Sequence, residues 1–345
     1  MKAACKQRIL VVRNDKLGDF MLAYPAFALL KQSSPQMEVC ALVPEYTREM
    51  AEACPWIDHI ITDPGEAQGI TGLFNLTKQL RRLKLAGVIT LFSTTRIGLA
   101  VAAAGISFRL APATKLAQLF YNHRLPQRRS RSEKPEYVYN LDLVRHYLQT
   151  QQCPVADDIQ PPYLAFEQQE VQALKQHFCT ANQLDSKRPV IFIHPGSGGS
   201  ANNLSLQQYA QLATRLAAEN DVNIIISAGP DELPQAQQLV SLANLPHSAI
   251  YHSIEGLKRF AQHIQFADVF ISGSTGPLHI AGALNTPTAA FYPRRQSATA
   301  LRWQTLNTAD RRLAFCPPSG AGESDMSLID VEEVARRIGE AYLRQ

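Results

Sequence analysis

Short apolar runs bounded by turn residues recur along this chain, at Ile9–Val12, Val39–Val43, Ile57–Ile61 and Val88–Phe92, and again at Val190–Ile193, Val222–Ser227, Val269–Ser272 and Thr288–Tyr292. Most are apolar nearly throughout instead of alternating, which is the pattern of strands buried on both faces. Segments of helical period lie between them, at Ile70–Leu83, Val138–Leu148, Leu206–Glu219 and Pro234–Ala243. Strand and helix in alternation call for parallel sheets covered by helices, an α/β fold.

The alternation pauses at Cys153-Pro154-Val155-Ala156-Asp157-Asp158-Ile159-Gln160-Pro161-Pro162, where prolines and acids disfavour both helix and central strand. With 345 residues, 46% of them hydrophobic, the chain has room for one doubly wound domain on each side of this linker. The expected division is 1–155 and 156–345, with an amphipathic final helix, Leu328–Leu343, able to pack on either domain. A membrane span needs about 18 consecutive apolar residues, and the longest candidate, Phe20–Leu30, is interrupted by Tyr24 and Pro25. The six cysteines form no Cys-x-x-Cys pair, and no apolar stretch precedes Cys5 in Met1-Lys2-Ala3-Ala4-Cys5. A reduced, cytoplasmic protein is therefore expected, touching a membrane at most peripherally.

Charge is uneven. Residues 1–150 carry 20 Lys and Arg against 12 Asp and Glu, or +8, whereas 151–345 carry 14 against 18, or −4. The first half is thus suited to something anionic. Its excess gathers late, in Arg109, Lys115, Arg124, Arg128, Arg129, Arg131 and Lys134. Few aromatics interleave with these cations, so an acidic glycan or lipid headgroup is a better match than nucleic acid.

Three strand-to-helix turns carry chemistry. Arg13-Asn14-Asp15-Lys16-Leu17-Gly18-Asp19 places two carboxylates and two cations after the first strand. A carboxylate there could take a proton from a hydroxyl, and Asp19 could equally be a helix cap. His194-Pro195-Gly196-Ser197-Gly198-Gly199-Ser200 lets backbone N–H groups approach a phosphate, or is a plain flexible connection. It is neither a dinucleotide fingerprint nor a Walker loop, and the missing fingerprint weighs against a dehydrogenase. Ser272-Gly273-Ser274-Thr275-Gly276-Pro277-Leu278-His279 follows another buried strand, with Ser274 or Thr275 able to cap the next helix. Glu232, at the end of Val222–Ser227, suits a ribose or serves as a first-turn acid. The nine histidines show no metal-binding spacing.

Taken together, Arg13-x-Asp15-x-x-Gly18-Asp19, His194-Pro195-Gly196-Ser197 and Ser274-Thr275-Gly276-Pro277-Leu278-His279-Ile280-Ala281 resemble the heptosyltransferase family, glycosyltransferase family 9, in the right order over most of the chain. The resemblance implies two Rossmann-like domains facing a cleft, the GT-B architecture. The first domain would bind the acceptor and the second a nucleotide-sugar donor. It implies inverting transfer of a heptose from ADP-heptose to an acidic lipopolysaccharide or lipooligosaccharide inner core, with no metal and no cofactor. Asp19 falls at the family's catalytic base. Gly196, Ser197 and Gly198 fall on the diphosphate loop, Ser274, Thr275, Gly276 and His279 on the second phosphate turn, and Glu232 near the ribose acid.

Where family members often carry a cation after the glycine-rich loop, this chain has Asn202-Asn203, and Ser274 replaces a frequent Asp. Lys16 is the expected substitute cation, with Arg294 and Arg295 as others. Arg13, Asp15, Arg124, Arg128, Arg129 and Arg131 are expected to meet the anionic acceptor. The departures leave open another nucleotide sugar, a non-lipid acceptor, or a relative that binds a sugar nucleotide without transferring it.

Overall fold

A computed structural model describes residues 7–114, 116–198, 202–320 and 322–344. Lys115, Gly199, Ser200 and the Met1–Cys5 segment lie outside them. The chain forms two compact units, divided between Ile159 and Gln160 and not at 155. Local bonds explain the later division. The Ala156 N–H donates to Ser33 Oγ at 3.0 Å and Arg145 to Asp158, whereas the N–H groups of Tyr163 and Leu164 donate to the Ala283 carbonyl.

The first unit runs β1 (Arg8–Val12), α1 (Leu17–Met21), α2 (Tyr24–Ser33), β2 (Glu38–Pro44), α3 (Arg48–Ala53), β3 (His59–Asp63), α4 (Gly69–Arg82), β4 (Gly87–Thr90), α5 (Thr95–Ala103), β5 (Phe108–Pro112), β6 (His123–Leu125) and α6 (Glu136–Thr150). Its sheet is parallel with strand order β3-β2-β1-β4-β5-β6. Leu76 and Leu80 of α4 and Ile97, Ala100 and Val101 of α5 cover one face, packing on Leu10, Val12, Leu42 and Val88. Elements α2 and α6 pack on each other, α2 having every residue from Tyr24 to Leu30 buried. Pro25 sits in the first turn of α2, where its missing N–H leaves no bond unmade.

The second unit repeats the plan: α7 (Gln168–Ala181), β7 (Val190–His194), α8 (Leu206–Glu219), β8 (Asn223–Ala228), α9 (Leu233–Ala243), β9 (Ser248–His252), α10 (Leu257–Gln265), β10 (Val269–Gly273), α11 (Gly276–Ala283), β11 (Thr288–Phe291), β12 (Arg312–Phe315) and α12 (Val331–Ile338). Its parallel sheet has the order β12-β11-β10-β7-β8-β9. Because side chains alternate across a strand, Ile191 and Ile193 join Tyr209, Leu212 and Leu216 of α8, while Phe192 points the other way, into rings of Tyr251, Phe266 and Phe270. The final helix starts at Val331 and not at Leu328, continues past α12 as a π-helical stretch over Gly339–Leu343, and packs on α8 within this unit through Val334, Ala335 and Ile338.

In each sheet the strand order reverses once, between β1 and β4 and between β7 and β10. Ligands of doubly wound sheets bind beyond the carboxyl ends of the strands at that reversal. All three turns singled out in the sequence follow one of these strands.

Phe291, fully buried between Tyr209 and Phe315, and Ser205, whose hydroxyl caps α8 in a reciprocal box with Gln208, test this packing. Phe291→Ala is expected to destabilise the second unit by about 3–5 kcal/mol. Ser205→Ala is expected to cost only about 1 kcal/mol. Urea unfolding followed by circular dichroism checks both, and equal losses would contradict the burial assigned to Phe291.

Candidate functional site

At the end of β1, the Arg13 N–H still pairs with the Leu42 carbonyl at 3.1 Å, but its side chain leaves the sheet and is only 2% exposed. Its Nε donates to Asp15 Oδ1 at 2.9 Å, one terminal nitrogen to Asp19, and the other to Glu136 Oε1 at 3.2 Å and Asn140 Oδ1 at 3.3 Å. Glu136 and Asn140 lie one turn apart on α6, and Asn140 is anchored by its own amide to the Leu22 carbonyl at 3.1 Å. Arg129 also bonds Glu136 and takes Gln127 Oε1 at 2.9 Å. Tyr46 donates to the Asp15 carbonyl, and Asn14 reaches Asp63, itself paired with Arg96.

Two guanidiniums thus face three carboxylates away from water. Burial raises the Asp15 carboxyl to about 7 against the pull of Arg13, with repulsion from Asp19 adding to the rise. Burial also raises Asp19, opposed by Arg13 and reinforced by Glu136. Arg13 stays charged: burial alone would lower its pKa, but Asp15, Asp19 and Glu136 hold it above the ordinary value. Asp19 sits in the first turn of α1, one turn past Lys16 at the N-cap, so it is not the cap. A carboxylate raised in this way and fixed at a strand edge can accept a proton from a sugar hydroxyl.

The structure corrects the expectation for Arg13. With its guanidinium enclosed and committed to four partners, it positions Asp15 and Asp19 and does not reach an acceptor. Arg129 is likewise held by Glu136 and Gln127. Arg124, on edge strand β6, and Arg128 and Arg131, flanking a 3-10 turn at Arg129–Arg131, are exposed, and Arg131 lies 3.6 Å from Glu133. Arg128 lines a cavity of about 510 Å³ with Gln127, Lys134, Tyr139, Arg145 and His146. Lys16 is exposed.

In the second unit, β7 ends at buried His194, whose Nδ1 lies 3.1 Å from Ser227 Oγ and whose pKa burial lowers, leaving a neutral ring. A Cβ on Gly196 would stand 2.1 Å from Glu232 Oε2, so a side chain there would displace the Glu232 carboxylate. The Glu232 carboxylate accepts the Gly198 N–H at 3.2 Å and the Gly229 N–H at 2.9 Å, and lies 3.8 Å from His194 Nε2. An anionic oxygen pair therefore already sits among the loop amides. Gly198 adopts a left-handed φ of +50°, a conformation that favours glycine.

After β10, Ser272 Oγ and Thr275 Oγ1 are 3.0 Å apart. Thr275 occupies the N-cap of α11, yet neither it nor Ser274 supplies the side-chain cap expected, and Pro277 sits in the first turn. The first N–H groups of α11 thus receive no side-chain cap. His279, 3% exposed on α11, is lowered to about 4 by burial and stays neutral, and its Nδ1 has no hydrogen-bond partner. Asn203 ties the two loops together: its amide donates to the Pro195 carbonyl at 2.8 Å, and its Oδ1 would stand 2.7 Å from a Cβ on Gly273. Asn202 donates to the Ser324 carbonyl at 3.3 Å. Arg294 and Arg295 are exposed beyond β11, Arg294 bonding the Pro317 carbonyl.

Sequence reasoning missed Glu136, Asn140, Ser227 and Asn203. Two polar residues at i and i+4 on the inward face of α6, and a capping box starting two residues after Asn203, were the signals available.

Because the Asp15 carboxyl rises from an ordinary 3.8 to about 7, the unfolded chain loses that proton first as pH increases. The first unit is therefore expected to lose stability between about pH 4 and about pH 7 and to level off above. Asp19, also raised, acts in the same direction. Melting temperatures across that window should fall in the parent and fall less steeply in Asp15→Asn; identical slopes would contradict the raised carboxyl.

Residues 73–311 match the sequence profile of glycosyltransferase family 9 (heptosyltransferase), a span that holds the second unit's loops and leaves Asp19 outside. A putative glycosyltransferase of Haemophilus influenzae is 48% identical over 93% of this chain and 92% of its own length. Lipopolysaccharide heptosyltransferase 2 of Escherichia coli is 23% identical over 83% of this chain and 82% of its own. The solved structure of E. coli ADP-heptose lps heptosyltransferase II superposes with a TM-score of 0.78 at 18% identity, over 97% of this chain and 98% of that one, which establishes a shared fold. From the profile match and the Haemophilus relative together, the chain belongs to glycosyltransferase family 9, the heptosyltransferases, and is a glycosyltransferase.

Proposed function

We propose that this glycosyltransferase moves a heptose from ADP-heptose, with inversion and without a metal ion or cofactor, to an acidic inner-core acceptor of lipopolysaccharide or lipooligosaccharide, working in the cytoplasm. The observation that carries the reading is Asp19, a carboxylate raised by burial and fixed by buried Arg13 beyond the strand reversal of the first unit. Asp19 takes the proton of an acceptor hydroxyl as that oxygen attacks the anomeric carbon. The bond from this carbon to the diphosphate oxygen breaks, and the electron pair leaves with the nucleotide.

Developing charge on the leaving diphosphate is met by the Gly196-Ser197-Gly198 loop and the uncapped start of α11 at Thr275 and Gly276, with neutral His279 as a further donor. Donors of this kind need no reorganisation during the reaction. Glu232 holds the loop open through the Gly198 and Gly229 amides and accepts ribose hydroxyls with its remaining lone pairs. Arg124, Arg128 and Arg131 receive acceptor anions, and Lys16, exposed at the N-cap of α1, serves as a further cation. The names of the E. coli relatives support the heptose and the lipopolysaccharide acceptor.

A second reading keeps the chemistry and changes the donor sugar. It is favoured by Asn202, committed to the Ser324 carbonyl where a phosphate-pairing cation is frequent in the family. Turnover of a panel of nucleotide sugars, read by mass spectrometry, separates the two.

Asp19→Asn is expected to lower kcat by about 10²–10⁴-fold while ADP binding by calorimetry stays at the parent value. Near-normal turnover would remove Asp19 from the reaction. Glu136→Gln deletes a negative charge that raises Asp19, so the acid limb of the kcat/KM profile should move to lower pH. An unmoved limb would mean that Asp19 does not set it. Glu232→Gln should weaken ADP binding by about tenfold or more, since it replaces a charged acceptor with a neutral amide.

A further inference from the structure

Between Glu66 and Glu133 the sequence contains no Asp or Glu in 66 residues, yet it carries 11 Lys and Arg. This one stretch accounts for the positive charge of the first half. It builds α4, β4, α5, β5, β6 and the turn at Leu116–Phe120. Of the large apolar side chains exposed on the first unit among the described residues, the four most open all belong to it: Ile70 at 86%, Leu116 at 77%, Leu119 at 71% and Phe74 at 65%.

These four lie on one layer. Element α4 sends Leu76 and Leu80 into the core it shares with Ile97 and Val101 of α5, and Arg81 reaches the Ala103 carbonyl of α5 at 2.7 Å. The Leu116–Phe120 turn lies on α5, with Phe120 only 2.8 Å from where a Cβ of Gly98 would stand. On α4, Ile70, Phe74 and Lys78 repeat every four residues along the exposed side, and Arg82 follows one turn later. The layer therefore presents apolar side chains from two elements beside a row of cations.

We propose that this face, α4 with the Leu116–Phe120 turn, docks the protein on the surface of a bilayer that carries anionic headgroups. Ile70, Phe74, Leu116 and Leu119 enter the boundary between headgroups and acyl chains, and Lys78 and Arg82 meet the phosphates. Apolar side chains backed by cations are the combination that holds a helix in the plane of such a surface. A second copy of the chain is a poor occupant, since a symmetric contact would oppose the same cations with no acid among the stretch to offset them. No helix among the described residues is long and apolar enough to cross a membrane, so contact through this face is a surface contact.

Sedimentation of the full chain with sucrose-loaded vesicles tests this, using phosphatidylcholine alone and three parts phosphatidylcholine to one part phosphatidylglycerol. The parent is expected to sediment with the anionic vesicles and to be released as salt rises from about 0.1 M to about 1 M, which shortens the screening length from about 10 Å to about 3 Å. Ile70→Ser/Phe74→Ser and, separately, Leu116→Ser/Leu119→Ser should each weaken binding at least about tenfold. Lys78→Glu/Arg82→Glu should erase the preference for anionic vesicles. Melting temperature reports folding, and the two apolar pairs sit on different elements, so one remains informative if the other fails to fold. The proposal is overturned if the parent stays in the supernatant with anionic vesicles, or if both apolar pairs sediment like the parent. It is also overturned if Ile70→Ser/Phe74→Ser abolishes a dimer seen in velocity sedimentation, or if the face retains only an acidic protein. Vesicle binding is read without donor or acceptor, so it stands or falls separately from the transfer reaction.

Discussion

A guanidinium removed from water must be met by carboxylates, and at Arg13 three converge on one side chain. The cost of desolvating such a group is several kcal/mol, recovered only when its hydrogen bonds are complete. Arg13 achieves this by drawing Asp15 and Asp19 from its own turn and Glu136 and Asn140 from α6. The start of α1, the path of the turn before it and the docking of α6 are consequently tied to a single side chain. Removing one member of such a set leaves buried charge unmatched, with losses of about 3–5 kcal/mol. Burial, reinforced by the negative charge of Glu136, keeps Asp19 above the usual carboxylate range.

The second unit solves its electrostatic problem differently. Its strand reversal holds two histidines, His194 and His279, both neutral because burial disfavours their charged forms. No buried cation is placed among the described loop residues there. What gathers anionic oxygen is backbone: the amides of Gly198 and Gly229 already grip the Glu232 carboxylate. A Cβ at Gly196 would meet that carboxylate at 2.1 Å, so a side chain there would displace Glu232 from these amides. The negative net charge of this half is compatible with the phosphate recognition proposed above because amide dipoles act at short range, where net charge at a distance is screened.

Much of the architecture was legible because central parallel strands are buried on both faces and so read as continuous apolar runs. The strands that escaped notice have reasons. Elements β6, β9 and β12 are sheet edges, short and interrupted by polar residues such as Arg124, Ser248 and Arg312, since one side of an edge need not be covered. Strand β5 carries Arg109 in its middle, a residue whose guanidinium is spent on the carbonyls of Phe120 and Ile106. At the site, Asp19, Gly196 and the turn before α11 were visible because a turn is written in adjacent residues. Glu136 is 123 positions from Arg13, and nothing local marks their pairing. The role expected for Arg13 failed for that reason: a cation beside a carboxylate reads as a ligand contact until its distant partners are known.

The two sheets share one strand order, yet the residues at their reversals differ, and the transfer reaction proposed above accounts for the difference. A base has to be charged before it acts and must lose that charge as it takes a proton, so it needs neighbours that moderate its affinity: a cation to keep it ionised and further anions to keep it basic. For Asp19, the base proposed above, Arg13 and Glu136 supply both. A diphosphate is charged throughout and gains charge as it leaves, so it is best served by fixed dipoles that neither titrate nor move. Glycine amides, an uncapped helix start and histidines held neutral by burial are such donors across the physiological range. The topology supplies an open strand edge in each unit, and the choice between a titrating cluster and a non-titrating cradle is made by a few side chains placed on it.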